Sequence, residues 1–557
     1  YSKSAEEALR IWDHEKVLSD VVWVIRKFQP DIIITRFPGD ARAGHGHHAA
    51  SAIIANEAFE AAADPTRFPE QLKLGVGIWK ATRILWNTYN FGGFNTTNEK
   101  QLKLEVGGFN PMLGKSYGEI GAEARTMHKS QGEGRAKRRG EIFEFFETTG
   151  GAKPTVDIMD GINTSWSRFD ASAIQAKITS ITQNYKLNNP AASIPALVDL
   201  YEAIADLPHS TWRTYKLDVL QEIIFFSAGI FIEATTQQQQ VVPGETIQVQ
   251  FLLNQRSNAN ATLQKIVLPG KDTSMNIVLQ SNQNLQFGYS FKVAKDQSIS
   301  QPYWLVNPKT EGMFVVNNQM LIGKAENEPV FKGVADIRIA GKLFHYDFPV
   351  QYKFLDFTKG DQYQPITIIP NEEIIFEKEV YLNKGKEAIE VAYQHVIHDG
   401  KSKRISFPVS NEQQKLPIPA NAVYTRVIQY DHIPTLTYFP SATVKVVNSA
   451  IKIKGKKVGY IDGAGDKLPE AILALGYEVI TLTEADMDLS KLKTLDAIVV
   501  GVRSYNMYAF LTDKNDIMNQ YIEQGGNVIV QYLKSNQVGT KKVNVGPYAF
   551  SVNASKR

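Results

Sequence analysis

The sequence predicts a multidomain chain that mixes α/β and all-β parts: a Rossmann-like α/β domain first, β-sandwich domains in the centre, and a doubly wound, flavodoxin-like α/β domain last. Three observations carry this reading. At 557 residues the chain is longer than one hydrophobic core sustains. Its hydrophobic pattern switches from helical spacing to alternation near Phe231, and back to mixed strand and helix patterns after residue 450. Turn signals crowd the interval between. The domains that follow are residues 1–150, a helical extension over 151–230, sandwiches over 231–355 and 356–450, and an α/β unit over 451–557.

The elements can be taken in order. Ser4 followed by Glu7 reads as a capping box, and Val17, Val21, Val24 and Phe28 recur at helical spacing, which predicts one helix over residues 4–29 ended by Pro30. "DIIITRF", bounded by Pro30 and Pro38, reads as a buried strand. "GDARAGHGHHAASAIIANEAFEAAAD", residues 39–64, then puts three of the ten histidines within four positions, directly ahead of an Ala-rich helix. Loops beyond the carboxyl ends of strands build the ligand crevice of open α/β sheets, so these imidazoles stand where chemistry is usual. His48 would lie at the helix N-terminus, whose dipole disfavours imidazolium and leaves the ring neutral.

Residues 66–230 mix short strands with helices, including a polar, Ala-rich stretch from Thr164 to Leu207. "FIEATTQQQQVVPGETIQVQFLLN" opens the β region, and "ADIRIAGKLFHYDFPVQYKF", "EEIIFEKEVYL" and "ATVKVVNSAIK" continue it. About 220 residues suit two sandwiches of immunoglobulin-like size, with a boundary near 350–365. After "KIKGKK", the segments "KVGYIDG", "DKLPEAILALGY", "EVITLT", "LDAIVVGV", "DIMNQYIEQGG" and "NVIVQYL" alternate strand and helix character as a doubly wound unit does.

Composition narrows the function. The net charge of +3, from 61 basic and 58 acidic residues, is too balanced for a nucleic-acid footprint, and the basic run "GRAKRRG" is local. No segment approaches the roughly 18 apolar residues of a membrane span. Cysteine is absent, so any metal must be held by His, Asp or Glu. That absence fits a bacterial exported protein, periplasmic or secreted. The chain opens on amphipathic helix without a signal peptide.

"QPDIIITRFPGDARAGHGHHAASAIIANEAF" resembles the second signature of the PIG-L (LmbE-like) N-acetylglucosaminyl deacetylases: Pro-Asp-x-Val-x-Thr, then His-Pro-Asp-His, then an Ala-rich helix. Pro30, Asp31 and Thr35 match the lead-in, and His45 and His48 match the two histidines. "EARTMHKSQG" is similar to the family's later His-x-Ser-Gln element. The resemblance implies a zinc-dependent amidohydrolase that removes acetate from an N-acetylated amino sugar or glycan. It implies that His48 binds zinc and that His45 stabilises the tetrahedral oxyanion. The remaining ligands and the general base belong to an Ala-His-Pro-Asp-Asp-Glu element that nothing here matches, so they are expected upstream of Tyr1, leaving the visible chain with one zinc ligand. Two positions depart from the signature, Gly46 standing for Pro and His47 for Asp.

The chemistry is coherent in physical terms. A catalytic zinc keeps an open coordination position, lowers the pKa of its water to about 7 and polarises a carbonyl. One well-placed donor to the oxyanion contributes roughly 3 to 4 kcal/mol. Arg36 and Asp40, flanking the loop, could orient substrate hydroxyls or simply be solvated. His47 could contact substrate or sit at the surface, and His128 with Gln131 could line the pocket or serve structure. His395 and His398, three apart in a strand, fall on opposite faces and make no metal site.

Residues 456–537 resemble the class I glutamine amidotransferase-like fold through "KKVGYIDG", "LDAIVVGVRSYN" and "GGNVIVQYL". Those enzymes use a cysteine nucleophile, so its absence excludes glutamine hydrolysis, and a structural or sugar-binding role is expected. "IDGAG" matches neither a dinucleotide nor a Walker fingerprint. Two functions therefore stand side by side: a zinc-dependent deacetylase, and a noncatalytic glycan-binding or scaffold protein built on a degenerate deacetylase domain.

Overall fold

The computed structural model describes residues 2–90, 94–128, 134–383, 388–398, 401–409, 418–419, 421–430, 433–449, 451–533 and 545–548. They fall into two units, Tyr1–Asn371 with Thr425–Phe439, and Glu372–Tyr424 with Pro440–Arg557.

The first unit begins with helices. Ser4 caps as its sequence context predicts, its Oγ accepting from the Glu7 N–H at 3.1 Å. The single helix expected over residues 4–29 is instead two, α1 (Ala5–Trp12) and α2 (His14–Phe28), because Asp13 between them takes a φ of 60° that a right-handed helix cannot continue. Gln29, left-handed, closes α2 ahead of Pro30. Strand β1 (Ile32–Thr35) and helix α3 (Gly46–Ala61) follow. Leu18, Val22 and Ile25 of α2 pack on Ile54, Ala58 and Ala61 of α3, where small alanines let the two helices approach closely.

A four-stranded sheet holds β1 at its edge, in the order β1, β2 (Arg83–Thr88), β4 (Phe143–Gly151), β3 (Leu102–Glu105). β1 and β2 run parallel, Ile33 opposite Ile84, and the connection between them contains α3. β4 is antiparallel to both β2 and β3, so the described sheet is mixed. Helix α4 (Tyr117–Thr126), fixed by a complete capping box between Ser116 and Glu119, lies between β3 and β4 in the chain.

The expected helical extension comprises α5 (Ser172–Asn184), α6 (Ile194–Ala205) and α7 (Thr211–Ser227). The strands after it are β5 (Ile230–Thr236), β6 (Thr246–Gln255), β7 (Ala261–Leu268), β8 (Lys271–Val278), β9 (Asn284–Lys292), β10 (Lys332–Ile339), β11 (Lys342–Asp356) and β12 (Gly360–Pro365). They pair in the order β8, β7, β10, β11, β5, β6, β9, with β12 also on β11. β11, 15 residues long, pairs with β10 through its first half and with β5 and β12 through its second. Alternating inward residues, such as Ile247, Val249, Phe251 and Leu253 of β6, share one core with Leu263, Ile337 and Phe348.

That core spans two of the expected boundaries. Helices and strands are not separate bodies at residue 230, since Tyr201 of α6 and Phe225 of α7 pack edge-on against Phe344 of β11 at 5.2 and 6.0 Å. The break expected near 355 falls where β11 is still paired with β12; the chain leaves this unit at Asn371, and the hairpin of Arg426–Tyr430 and Ile433–Tyr438 returns to it.

The second unit starts with a small sheet of β13 (Glu372–Phe376), β15 (Ile389–Ile397) and β16 (Lys401–Val409). A parallel pair, β14 (Val380–Asn383) with β17 (Lys445–Asn448), contributes Tyr381 and Val446 to a core with Val391 and Val409. A parallel four-stranded sheet follows, ordered β19 (Glu478–Thr481), β18 (Lys457–Ile461), β20 (Ala497–Val500), β21 (Val528–Val530), with helices α8 (Leu468–Leu475) and α9 (Asn515–Glu523). β18 and β20 are buried nearly throughout, as interior parallel strands are. No described helix is long and apolar enough to cross a membrane.

Candidate metal centre

The site is built where β1 ends. Its chain leaves the sheet through Arg36–Gly44, makes one short helical turn at Ala41–Ala43, and enters α3 with His45 as the N-terminal cap residue. Asp40 shapes that loop: its Oδ1 accepts from the Arg42 N–H at 2.9 Å, and its carboxylate pairs with the Arg42 guanidinium at 2.7 Å, which holds its pKa below the usual value.

The turn brings His45, His47 and His48 together, each offering a ring nitrogen within 4.8 Å of the others. His45 is exposed, while His47 and His48 are half-buried. The His48 ring stacks on Phe37 at 4.0 Å with planes 12° apart, and its Nδ1 is buried without a hydrogen-bond partner. Burial lowers the pKa of both His47 and His48; the neighbouring imidazoles add to this, and a backbone hydrogen bond with Ala43 works against it at His48. Both rings are therefore biased towards the neutral form that ligates metal.

A cleft of about 630 Å³ opens beside them, lined by His45, His48, Arg42, Phe37, Tyr89 and Phe94 among others. Tyr89 follows β2 directly and donates its hydroxyl to the Arg42 carbonyl at 2.7 Å, so the carboxyl ends of both parallel strands feed one crevice.

The histidines placed by sequence thus converge, and His47, assigned to substrate or surface, joins them as a third nitrogen donor. Its place in the signature, where the deacetylases carry Asp, was the available signal. Gly46 also acquires a reason: a Cβ there would lie 2.1 Å from the Ser4 carbonyl oxygen, because the segment before α1 crosses the start of α3. Ser2 belongs to the same crossing, accepting from the Gly46 N–H and approaching His47 Nδ1 at 3.4 Å.

The other candidates lie apart from the cleft wall. Arg36 meets Asn87 and Glu144 on the neighbouring strands and lies over the Tyr89 ring at 5.7 Å, and Asp40 pairs with Arg42 within the loop. His128 is exposed beyond α4 and bonded to Arg125 at 2.9 Å, and Gln131 lies outside the described residues. Asp31, matched to the signature lead-in, forms a two-pronged pair with Arg168 at 2.8 and 2.9 Å. His395 meets Glu372 and His398 meets Glu373 in the second unit. Phe37, Arg42, Tyr89 and Phe94 were not legible as wall residues, because two come from the loop after β1 and two from the segment after β2.

Three clustered imidazoles, one with a buried unpartnered nitrogen, could hold a metal ion.

No family model and no curated protein matches this chain. Among solved structures it is similar to Spo0M, the sporulation control protein of Bacillus subtilis, at 10% identity and a TM-score of 0.12, over 32% of this chain and 90% of that one. It is also similar to the Pseudomonas fluorescens alkylpurine DNA glycosylase AlkC, bound to DNA containing an abasic site analogue, at 9% identity and a TM-score of 0.12, over 32% of this chain and 51% of that one. Likeness at this level decides neither fold nor activity.

Proposed function

We propose that the chain carries a zinc-dependent hydrolase centre acting on the N-acetyl group of an amino sugar or glycan. The observation that carries this is the clustering of His45, His47 and His48 beyond the first strand, with His45 and His48 lining a cleft. His48 would hold the metal, with His47 as a further donor. A bound zinc would supply an activated water and polarise the amide carbonyl. His45, the exposed member beside them, would donate to a developing oxyanion. Phe37 stacks on the His48 ring, and Phe37, Tyr89 and Phe94 give the cleft an aromatic wall.

The finer fold assignments belong to the same reading. We read the β1–α3–β2 unit as the Rossmann-like part of a deacetylase domain. The parallel order β19, β18, β20, β21 supports a flavodoxin-like reading of the C-terminal sheet. Arg503 takes a φ of 64° on the turn after β20, where an amidotransferase would need cysteine, which favours a noncatalytic role for that unit.

The test is zinc titration of the purified chain by competition with a chromophoric chelator, together with acetate release from an N-acetylglucosamine oligomer. His48→Ala is expected to weaken zinc binding at least about tenfold and to abolish any acetate release. Acetate release that persists in His48→Ala, or after chelation, would overturn the assignment.

A further inference from the structure

A second cavity, of about 230 Å³, lies within the first unit and shares no lining residue with the histidine cleft. Its walls come from the segment after β9, from the middle of β11, from the end of β12 and from the hairpin strand Ile433–Tyr438. Five prolines, Pro302, Pro329, Pro349, Pro365 and Pro434, together with Trp304, give it a stiff apolar surface.

Several neutral polar side chains are set into that surface beside two carboxylates, Glu326 and Glu328. Gln351, Thr435 and Thr437 line the cavity, half-buried, and their side chains make no hydrogen bond among the described residues. Gln301 uses its Oε1 on the Phe439 N–H at 3.0 Å, which leaves its Nε2 for the cavity. The walls are tied together without these groups: Asn327 Nδ2 donates to the Gln301 carbonyl at 2.7 Å, and the Ile368 N–H to Ser300 Oγ at 2.7 Å. Several neutral hydrogen-bonding side chains with no protein partner of their own, set around one proline-walled cavity, are the lining that a hydrogen-bonding small molecule uses.

Charge and size define its class. No Lys, Arg or His lines the cavity, and of its two carboxylates Glu328 is held by Lys324 and Lys332, which disfavours an anion. Amides and hydroxyls both donate and accept, as a polyol requires. The volume equals roughly eight waters at about 30 Å³ each, the scale of a single sugar ring and too little for an extended peptide. We infer that this cavity binds one neutral pyranose unit of a glycan, hydrogen-bonded by Gln301, Gln351, Thr435 and Thr437 against the Trp304 and proline wall.

The experiment is ligand-observed saturation-transfer NMR on the full chain with maltotetraose, with an N-acetylglucosamine tetrasaccharide, and with a proline-rich peptide. At least one glycan should bind, and Gln351→Leu combined with Thr437→Val, shown to be folded by its unchanged melting temperature, should weaken it at least about tenfold. His48→Ala should leave that binding unchanged, which separates this site from the hydrolase reading. If that double variant does not fold, Gln301→Leu alone must show the loss. Binding by neither glycan, equal binding by the folded variants, or binding of the peptide alone would overturn the inference.

Discussion

Single residues decide most of what the histidine loop can do. His47 and His48 are pushed below the ordinary imidazole pKa chiefly by burial, so near neutral pH few protons compete with a metal for their nitrogens. Zinc affinity should therefore stay nearly flat between about pH 7 and 8 and fall as acid protonates the rings, a profile that competition titration across pH would measure. An affinity still climbing steeply above pH 7 would contradict the direction of these shifts. Asp20 on α2 moves the other way, pushed up to about 6 by burial alone. A carboxyl whose pKa is raised on folding favours the folded state while protonated, and that contribution disappears as pH rises through the folded value. Asp20→Asn is thus expected to stabilise the protein at pH 7.5, by about 1 kcal/mol once its partial exposure is discounted, with no gain left below about pH 4. Melting temperatures of the two forms across that range check both the sign and the window.

At the scale of elements, the order strand, loop, Ala-rich helix was legible because prolines bound "DIIITRF" and alanines carry helix propensity. The break at Asp13 was not, since nothing in "RIWDHEK" demands a positive φ; the chain turns there so that α1 and α2 can both reach α3. The close crossing at Gly46 was likewise hidden, because a glycine in "HGHH" does not say which segment it admits. Gly46→Ala should drive that segment off the start of α3 at a cost of about 1–3 kcal/mol, read as a lower melting temperature with weakened zinc binding. The far end of α3 is held differently. Arg26, 1% exposed, donates to the carbonyls of Ala61, Ala62, Asp64, Arg67 and Phe68 and to Gln71 Oε1. Arg26→Met removes the donors and leaves buried carbonyls unsatisfied, so a loss of about 3 kcal/mol or more is expected in urea unfolding. A loss under about 1 kcal/mol would mean that water replaces the guanidinium freely.

At the scale of the molecule, alternating residues in "GETIQVQFLLN" gave away the β-rich region, and the near-continuous apolar runs "KVGYI" and "AIVV" the parallel sheet. What periodicity could not show is which elements share a core, because local pattern specifies a face and not the partner that covers it. The helices α5–α7 and the first sandwich looked separable in sequence, yet Phe344 of β11, 2% exposed, is packed by Tyr201 and Phe225 from two of those helices. If helices and strands form one cooperative structure, a cavity at that position must loosen both. Phe344→Ala is expected to cost about 3–5 kcal/mol, as large aromatic truncations in a closed core do. Native-state hydrogen exchange distinguishes the alternatives: amides in Ile194–Ala205 and in Thr246–Gln255 should lose protection by similar amounts. Loss confined to the helical amides, with the β6 ladder untouched, would instead mark the helices as an independent layer resting on strands that are stable without them.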